Sequence, residues 1–89
     1  MNIREIHENK KQFLPLLLLA DEQEDMVDRY LEKGTMYVLY DCGVKAECVV
    51  TDEGDGILEI KNIAVVPEHQ RAGYGRSLIV FLARKYKWR

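Results

Sequence analysis

At 89 residues the chain is one domain at most, with 47% apolar and 31% charged residues, the proportions of an ordinary globular protein rather than a disordered or fibrous one. Uninterrupted apolar runs such as Leu16 to Ala20 fall far short of the roughly 18 residues that a membrane span needs. The net charge of -2 hides an asymmetry: residues 61–89 carry seven positive and one negative side chain, whereas residues 1–60 carry six and fourteen.

Met1 to Ile6 alternates weakly and predicts a short first strand. From Glu8 to Ala20 the leucines crowd too densely for a strand, and Pro15 predicts a helix broken or restarted there. Asp21 followed by Glu24 resembles a capping box, and Met26, Val27, Tyr30 and Leu31 recur at helical spacing. Gly34 is expected to end that helix. Thr35 to Tyr40 is aromatic and β-branched, Asp41-Cys42-Gly43 reads as a turn, and Val44 to Thr51 as the returning strand. A second turn, Glu53 to Gly56, leads into a long strand over Ile57 to Val66, which Pro67 stops. Leu78, Ile79, Leu82, Ala83 and Tyr86 mark one face of a last helix, expected to run to Trp88. The N-terminus, MNIREIHENKKQ, lacks the hydrophobic segment of a secretory signal, so a cytoplasmic location is expected. Cys42 and Cys48 form neither a zinc framework nor a CxxC motif, and His7 and His69 stand apart from them, so no metal is expected.

The stretch between the last strand and the last helix carries the chemistry. A strand feeding straight into a helix leaves the first-turn N–H groups without partners and aimed at whatever lies above the strand end. Gly73 and Gly75 would let an anion approach that backbone, and Arg71 and Arg76 would add charge. A pyrophosphate suits such a place. Two familiar phosphate loops fail the test: a G-x-G-x-x-G fingerprint from Gly73 would need glycine where Leu78 stands, and no P-loop Gly-Lys-Ser/Thr occurs. A plain tight turn is the bland alternative for a lone G-x-G.

The flanking residues decide. The run from Asn62 to Leu78, NIAVVPEHQRAGYGRSL, closely resembles the acetyl-CoA motif of the GCN5-related N-acetyltransferase (GNAT) superfamily, with Gln70, Gly73 and Gly75 at its Gln/Arg-x-x-Gly-x-Gly/Ala positions. The upstream order is also that of the family's first four strands and three helices. The resemblance implies an α/β fold of order β-α-α-β-β-β-α with a mainly antiparallel sheet, a single incomplete domain over residues 1–89. It further implies that the diphosphate of coenzyme A lies on the backbone of Gln70, Arg71, Ala72, Gly73, Tyr74, Gly75 and Arg76. The pantetheine arm would pair like an extra strand with Ile63, Ala64 and Val65, one N–H there polarising the acetyl carbonyl.

By its spacing before Gln70, Glu59 matches the catalytic glutamate of the histone acetyltransferase branch and is the candidate general base for the amine. Simple alternation would put Glu59, Lys61 and Ile63 on one face, with a solvated Glu59–Lys61 ion pair as the alternative role. In the family the fold continues with a fifth strand, a fourth helix and a closing strand pair. The resemblance thus implies the N-terminal portion alone, with acetyl-CoA binding weakened, turnover slight or absent, and one edge of the last strand open to self-association as a homodimer. The implied reaction is acetyl transfer from acetyl-CoA to a small-molecule or peptide amine. The rival is a non-catalytic acyl-CoA-binding or protein-interaction module assembled through that edge. Nucleic acid is not an expected partner, because aromatic interleaving among the basic residues is sparse and the rest of the chain is acidic.

Overall fold

The computed structural model describes residues 1–86 of the chain. Trp88, the expected end of the last helix, lies outside the described residues. The elements run in the order β1 (Asn2–Ile6), a 3-10 turn (Lys10–Phe13), α1 (Leu14–Ala20), α2 (Glu24–Tyr30), β2 (Thr35–Tyr40), β3 (Val44–Gly54), β4 (Ile57–Val65), a second 3-10 turn (Pro67–His69) and α3 (Tyr74–Tyr86). The expected β-α-α-β-β-β-α order holds. All strand pairings are antiparallel, and the sheet order β1-β2-β3-β4 leaves β4 with one strand neighbour among the described residues.

Helices cover both faces of the sheet. Met36 and Val38 of β2 pack with Leu17 of α1 and Val27 of α2, while Tyr37 and Leu39 pack with Leu78 and Leu82 of α3. Burial on both faces is why β2 reads as a continuous apolar run instead of an alternating one. Tyr37 lies edge-on to Phe81, ring centroids 5.0 Å apart, and its hydroxyl bonds that of Tyr86 at 2.6 Å. That bond satisfies a phenol otherwise sealed in the core, and it fixes the far end of α3 to the sheet.

Two local expectations hold and one needs correction. Pro15 sits in the first turn of α1, where its missing N–H leaves no bond unmade, and the helix restarts there after the 3-10 turn. The capping box does not form: the α2 N-cap is Gln23, without a side-chain cap, and Asp21 instead accepts bonds from the Gln23 N–H and the Tyr30 hydroxyl. Gly34 closes the helix by close approach, because a Cβ there would stand 2.8 Å from the Tyr30 carbonyl oxygen and 2.9 Å from Val49 Cγ1.

The end of α2 uses a cation that the sequence does not single out. Lys10 is only 6% exposed, and its Nζ donates to the carbonyls of Leu31 at 2.9 Å and Gly34 at 2.8 Å, with Glu32 at 3.4 Å. A buried ammonium with three carbonyl acceptors terminates the helix that lacks a left-handed glycine cap.

Candidate acyl-thioester site

The site begins with a β-bulge. Val49 pairs with Asn62 and Val50 with Ile60, so Lys61 is the extra residue of β4. An added residue reverses the alternation beyond it. Leu58 and Ile60 pack on the α3 face before the bulge, and Ile63 and Val65 pack on that same face after it. Glu59 and Lys61 therefore do not share a face with Ile63, contrary to simple alternation. They form an ion pair with each other, Lys61 Nζ to Glu59 Oε2 at 3.0 Å, and this bond raises the Lys61 pKa.

Beyond the bulge the strand offers backbone groups to its free side. The Val66 N–H donates to the Lys45 carbonyl at 2.8 Å, and the same register pairs Ala64 with Glu47 and Asn62 with Val49. Hydrogen-bonded pairs alternate along an antiparallel ladder, so Ala64 and Asn62 turn their N–H and C=O groups toward β3 while those of Ile63 and Val65 face the open edge. From that side the Gln70 side chain donates to the Val65 carbonyl at 3.4 Å. Of the three strand residues expected to hold an acyl arm, Ile63 and Val65 present backbone and Ala64 presents only its surface.

An open groove of about 450 Å³ runs along this edge. Its floor is Ile63 to Val65, one wall is Leu19 and Ala20 of α1, and the other is Gly75 and Ile79 of α3, with Gln70 at its end. Leu19 and Ile79 are 51% and 38% exposed, so the walls present apolar surface to an occupant.

The loop expected to hold a diphosphate has more backbone constraint than the sequence suggests. Helix α3 starts at Tyr74, so Gly75 lies inside its first turn and Gly73 just before it. Gly73 has φ +87° and Arg71 has φ +72°, a left-handed conformation that is uncommon for a side-chain-bearing residue. The first bond of the turn runs from the Ser77 N–H to the Gly73 carbonyl at 2.9 Å. Helix geometry leaves the N–H groups of Tyr74, Gly75 and Arg76 ahead of it without intrahelical acceptors. Arg71, Ala72 and Arg76 are exposed, and neither arginine is held in an ion pair among the described residues. The Tyr74 hydroxyl donates to Asp41 Oδ2 at 2.8 Å in the β2–β3 turn, so the side chain is engaged within the protein. On the other side of the loop a second opening of about 340 Å³ is rimmed by Arg76 and Arg84, with Gly73, Val80 and Phe81.

Two buried polar residues beside the groove were not picked out from the sequence. Glu47, opposite Ala64, is fully buried with no partner for either carboxyl oxygen, and burial pushes its pKa up to about 8. Asn62, 3% exposed, joins β4 to α1 and α2 through its amide. Both types usually lie at the surface, and only their places in the register put them inside. No cluster of three or more potential metal ligands occurs among the described residues, and no helix among them is long and apolar enough to cross a membrane.

An antiparallel sheet whose edge strand turns free amides into an apolar groove, and whose next loop feeds a helix N-terminus, has a shape and polarity complementary to an extended amide-bearing chain with an anionic end. Comparison with known proteins gives this architecture its family. No family model matches the chain. Over 81 residues it is 36% identical to an uncharacterized N-acetyltransferase, YvbK, of Bacillus subtilis (strain 168), a match covering 90% of this chain and 52% of that protein. The structure of a Bacillus subtilis acetyltransferase in complex with CoA superposes with TM-score 0.86 at 33% identity, covering 97% of this chain and 57% of that one. An IAA acetyltransferase from Bacillus cereus ATCC 14579 gives TM-score 0.83 at 30% identity, with coverage of 97% and 59%. A GNAT family acetyltransferase from Elizabethkingia anophelis with acetyl-CoA bound gives 0.83 at 28% identity, with coverage of 98% and 60%. The chain is thus of the GNAT superfamily and corresponds to the N-terminal portion of its fold, acetyl-CoA motif included. It spans about half the length of the curated relative it matches.

Proposed function

We propose that these residues form the acetyl-CoA-binding portion of an N-acetyltransferase that moves an acetyl group from acetyl-CoA directly to a primary amine. The observation that carries this reading is the outward pair of backbone amides at Ile63 and Val65, running along the groove onto the loop at Gly73. Acetyl-CoA has the matching layout of an amide-bearing arm ending in a diphosphate. The arm lies along Ile63 to Val65, and the diphosphate meets the N–H groups around Gly73 to Arg76 with Arg71 and Arg76 beside it.

Acetyl transfer forms a carbon–nitrogen bond and breaks a carbon–sulfur bond, with one proton leaving the amine and one reaching the thiolate. Fixed N–H dipoles at the open edge stabilise the negative charge that develops on the carbonyl oxygen, and they need no reorganisation to do so. Glu59 is our candidate for receiving the amine proton. Its pairing with Lys61 at 3.0 Å also leaves it the role of attracting a cationic acceptor, whether a small molecule or a peptide amine. The expected cytoplasmic setting and the single incomplete domain are parts of this proposal. Compared with the longer relatives, the 89 residues alone are expected to bind coenzyme A weakly and to turn over slowly or not at all.

Calorimetric titration with acetyl-CoA tests the reading, with Gly73→Asp and Gly75→Asp alongside. Binding lost in both variants supports it, and binding that survives both overturns it. A second reading, a non-catalytic module that dimerises through β4, draws on the open edge and on Ile57, which is 58% exposed. The bulge and the Glu59–Lys61 pair weigh against it, because charges and bulges blunt an edge strand. Sedimentation at high concentration would reveal a dimer mass if this second reading held.

A further inference from the structure

Asn62 follows the bulge residue directly and is buried at 3% exposure. Its Nδ2 donates at 3.0 Å to the Leu17 carbonyl of α1 and at 3.0 Å to the Tyr30 hydroxyl of α2. A backbone carbonyl can only accept, so the amide nitrogen must face α1 and the side-chain orientation is determined. With an oxygen lone pair taken by Asn62, the Tyr30 hydroxyl turns its proton to Asp21 Oδ2 at 3.3 Å. No other side-chain hydrogen bond joins β4 to either helix among the described residues.

Both ends of this arrangement lie close in sequence to residues that line the groove. Leu17 lies two residues before Leu19, which with Ala20 makes the α1 wall. At seven residues α1 is too short to be stable by helix formation alone, so tertiary contacts must set where it stands. Ile63 comes immediately after Asn62, and the path of the chain out of the bulge decides where its outward N–H points.

We propose that Asn62 is a positioning residue for the groove: its buried amide sets the separation of α1 from β4 and aims the outward N–H of Ile63 at the acyl arm. The inference rests on the reading that an acyl-CoA arm occupies the groove. It goes further by assigning the groove's width to one hydrogen-bonded side chain that makes no contact with the ligand itself.

The test uses the 89-residue chain and two ligands: acetyl-CoA, which has arm and diphosphate, and ADP, which has the diphosphate without the arm. Asn62→Ala is expected to weaken acetyl-CoA at least tenfold and ADP less than twofold. Tyr30→Phe, which keeps the Leu17 bond, is expected to give an intermediate loss and serves if the alanine variant does not fold. A merely structural role would weaken both ligands alike, and that result overturns the proposal. Amide hydrogen exchange without ligand supplies a readout independent of coenzyme A. Residues 14–20 should exchange at least tenfold faster in Asn62→Ala while β2 and β3 keep their rates. Unchanged exchange in α1 would also overturn it. If the unmodified chain binds neither ligand, the acyl-CoA reading fails, yet the exchange comparison still decides whether Asn62 sets the position of α1.

Discussion

Gly75 faces Val65 across the groove floor: a Cβ on Gly75 would lie 3.5 Å from Val65 Cγ2, an ordinary contact distance. Gly73, two residues earlier, has nothing within 4 Å of its would-be Cβ but holds φ at +87°. The motif's two glycines thus differ: a side chain at 75 would fit the protein at ordinary contact distance, whereas Gly73 holds a left-handed backbone shape.

Substitution by alanine should separate them. Gly75→Ala is expected to leave the thermal midpoint unchanged or slightly raised, since glycine inside a helix costs up to about 1 kcal/mol relative to alanine, while acetyl-CoA binding weakens because the new methyl enters the groove. Gly73→Ala should lose about 1 kcal/mol from the left-handed conformation alone. Thermal melts beside calorimetry check both, and a Gly75→Ala chain that binds as tightly as the parent would contradict the assignment.

Glu47 makes stability depend on pH in a defined window. Its folded pKa is raised by burial from the ordinary 4.5 to about 8. Below 4.5 the carboxyl is neutral in both states and its contribution is fully present. Between 4.5 and 8 the unfolded chain ionises while the folded one does not, so stability falls by about 1.4 kcal/mol per pH unit. Near pH 7 the loss amounts to about 3 kcal/mol. Glu47→Gln does not titrate, so its urea midpoint should gain on the parent's steadily from pH 4.5 to 8. A gap between the two that does not vary with pH would refute this account.

Lys10→Met removes the ammonium that Leu31, Glu32 and Gly34 carbonyls share, while retaining most of the apolar stem. Stability should drop by about 2 kcal/mol, the usual scale for losing bonds to a buried charged donor. Denaturant unfolding measures it, and faster amide exchange confined to residues 24–34 would place the loss at the end of α2.

Gly34→Ala should destabilise by about 1–3 kcal/mol through overpacking, because its Cβ would be 2.8 Å from a backbone oxygen and 2.9 Å from Val49. A paired Val49→Ala change should recover part of the loss, leaving the backbone clash. Urea midpoints of the two variants check this, and an additive loss in the double variant would show that Val49 is not the obstacle.

Much of the architecture was legible from residue order. Thr35 to Tyr40 is a strand at the bounds its aromatic and β-branched content suggests, and Asp41-Cys42-Gly43 is the turn after it. Gly73 and Gly75 marked the strand-to-helix junction because glycine is conspicuous wherever backbone must bend or be approached. Asp21 misled as a cap because its carboxylate could bond either a helix N-terminus or a distant phenol, and only packing brought Tyr30 within reach.

By itself the sequence determined the order of elements and the place of the strand-to-helix junction at Gly73 and Gly75, since these follow from local periodicity and from residues with special backbone freedom. Tertiary structure alone decided the bulge at Lys61, and with it which amides face the groove and the separation of Glu59 from Ile63. It also decided the burial of Lys10, Glu47 and Asn62. The physical reason is that a bulge is a property of two paired strands, and the burial of a polar side chain depends on partners that lie far along the chain: Lys10 meets carbonyls 21 to 24 residues away, and Asn62 reaches across 45 residues to Leu17.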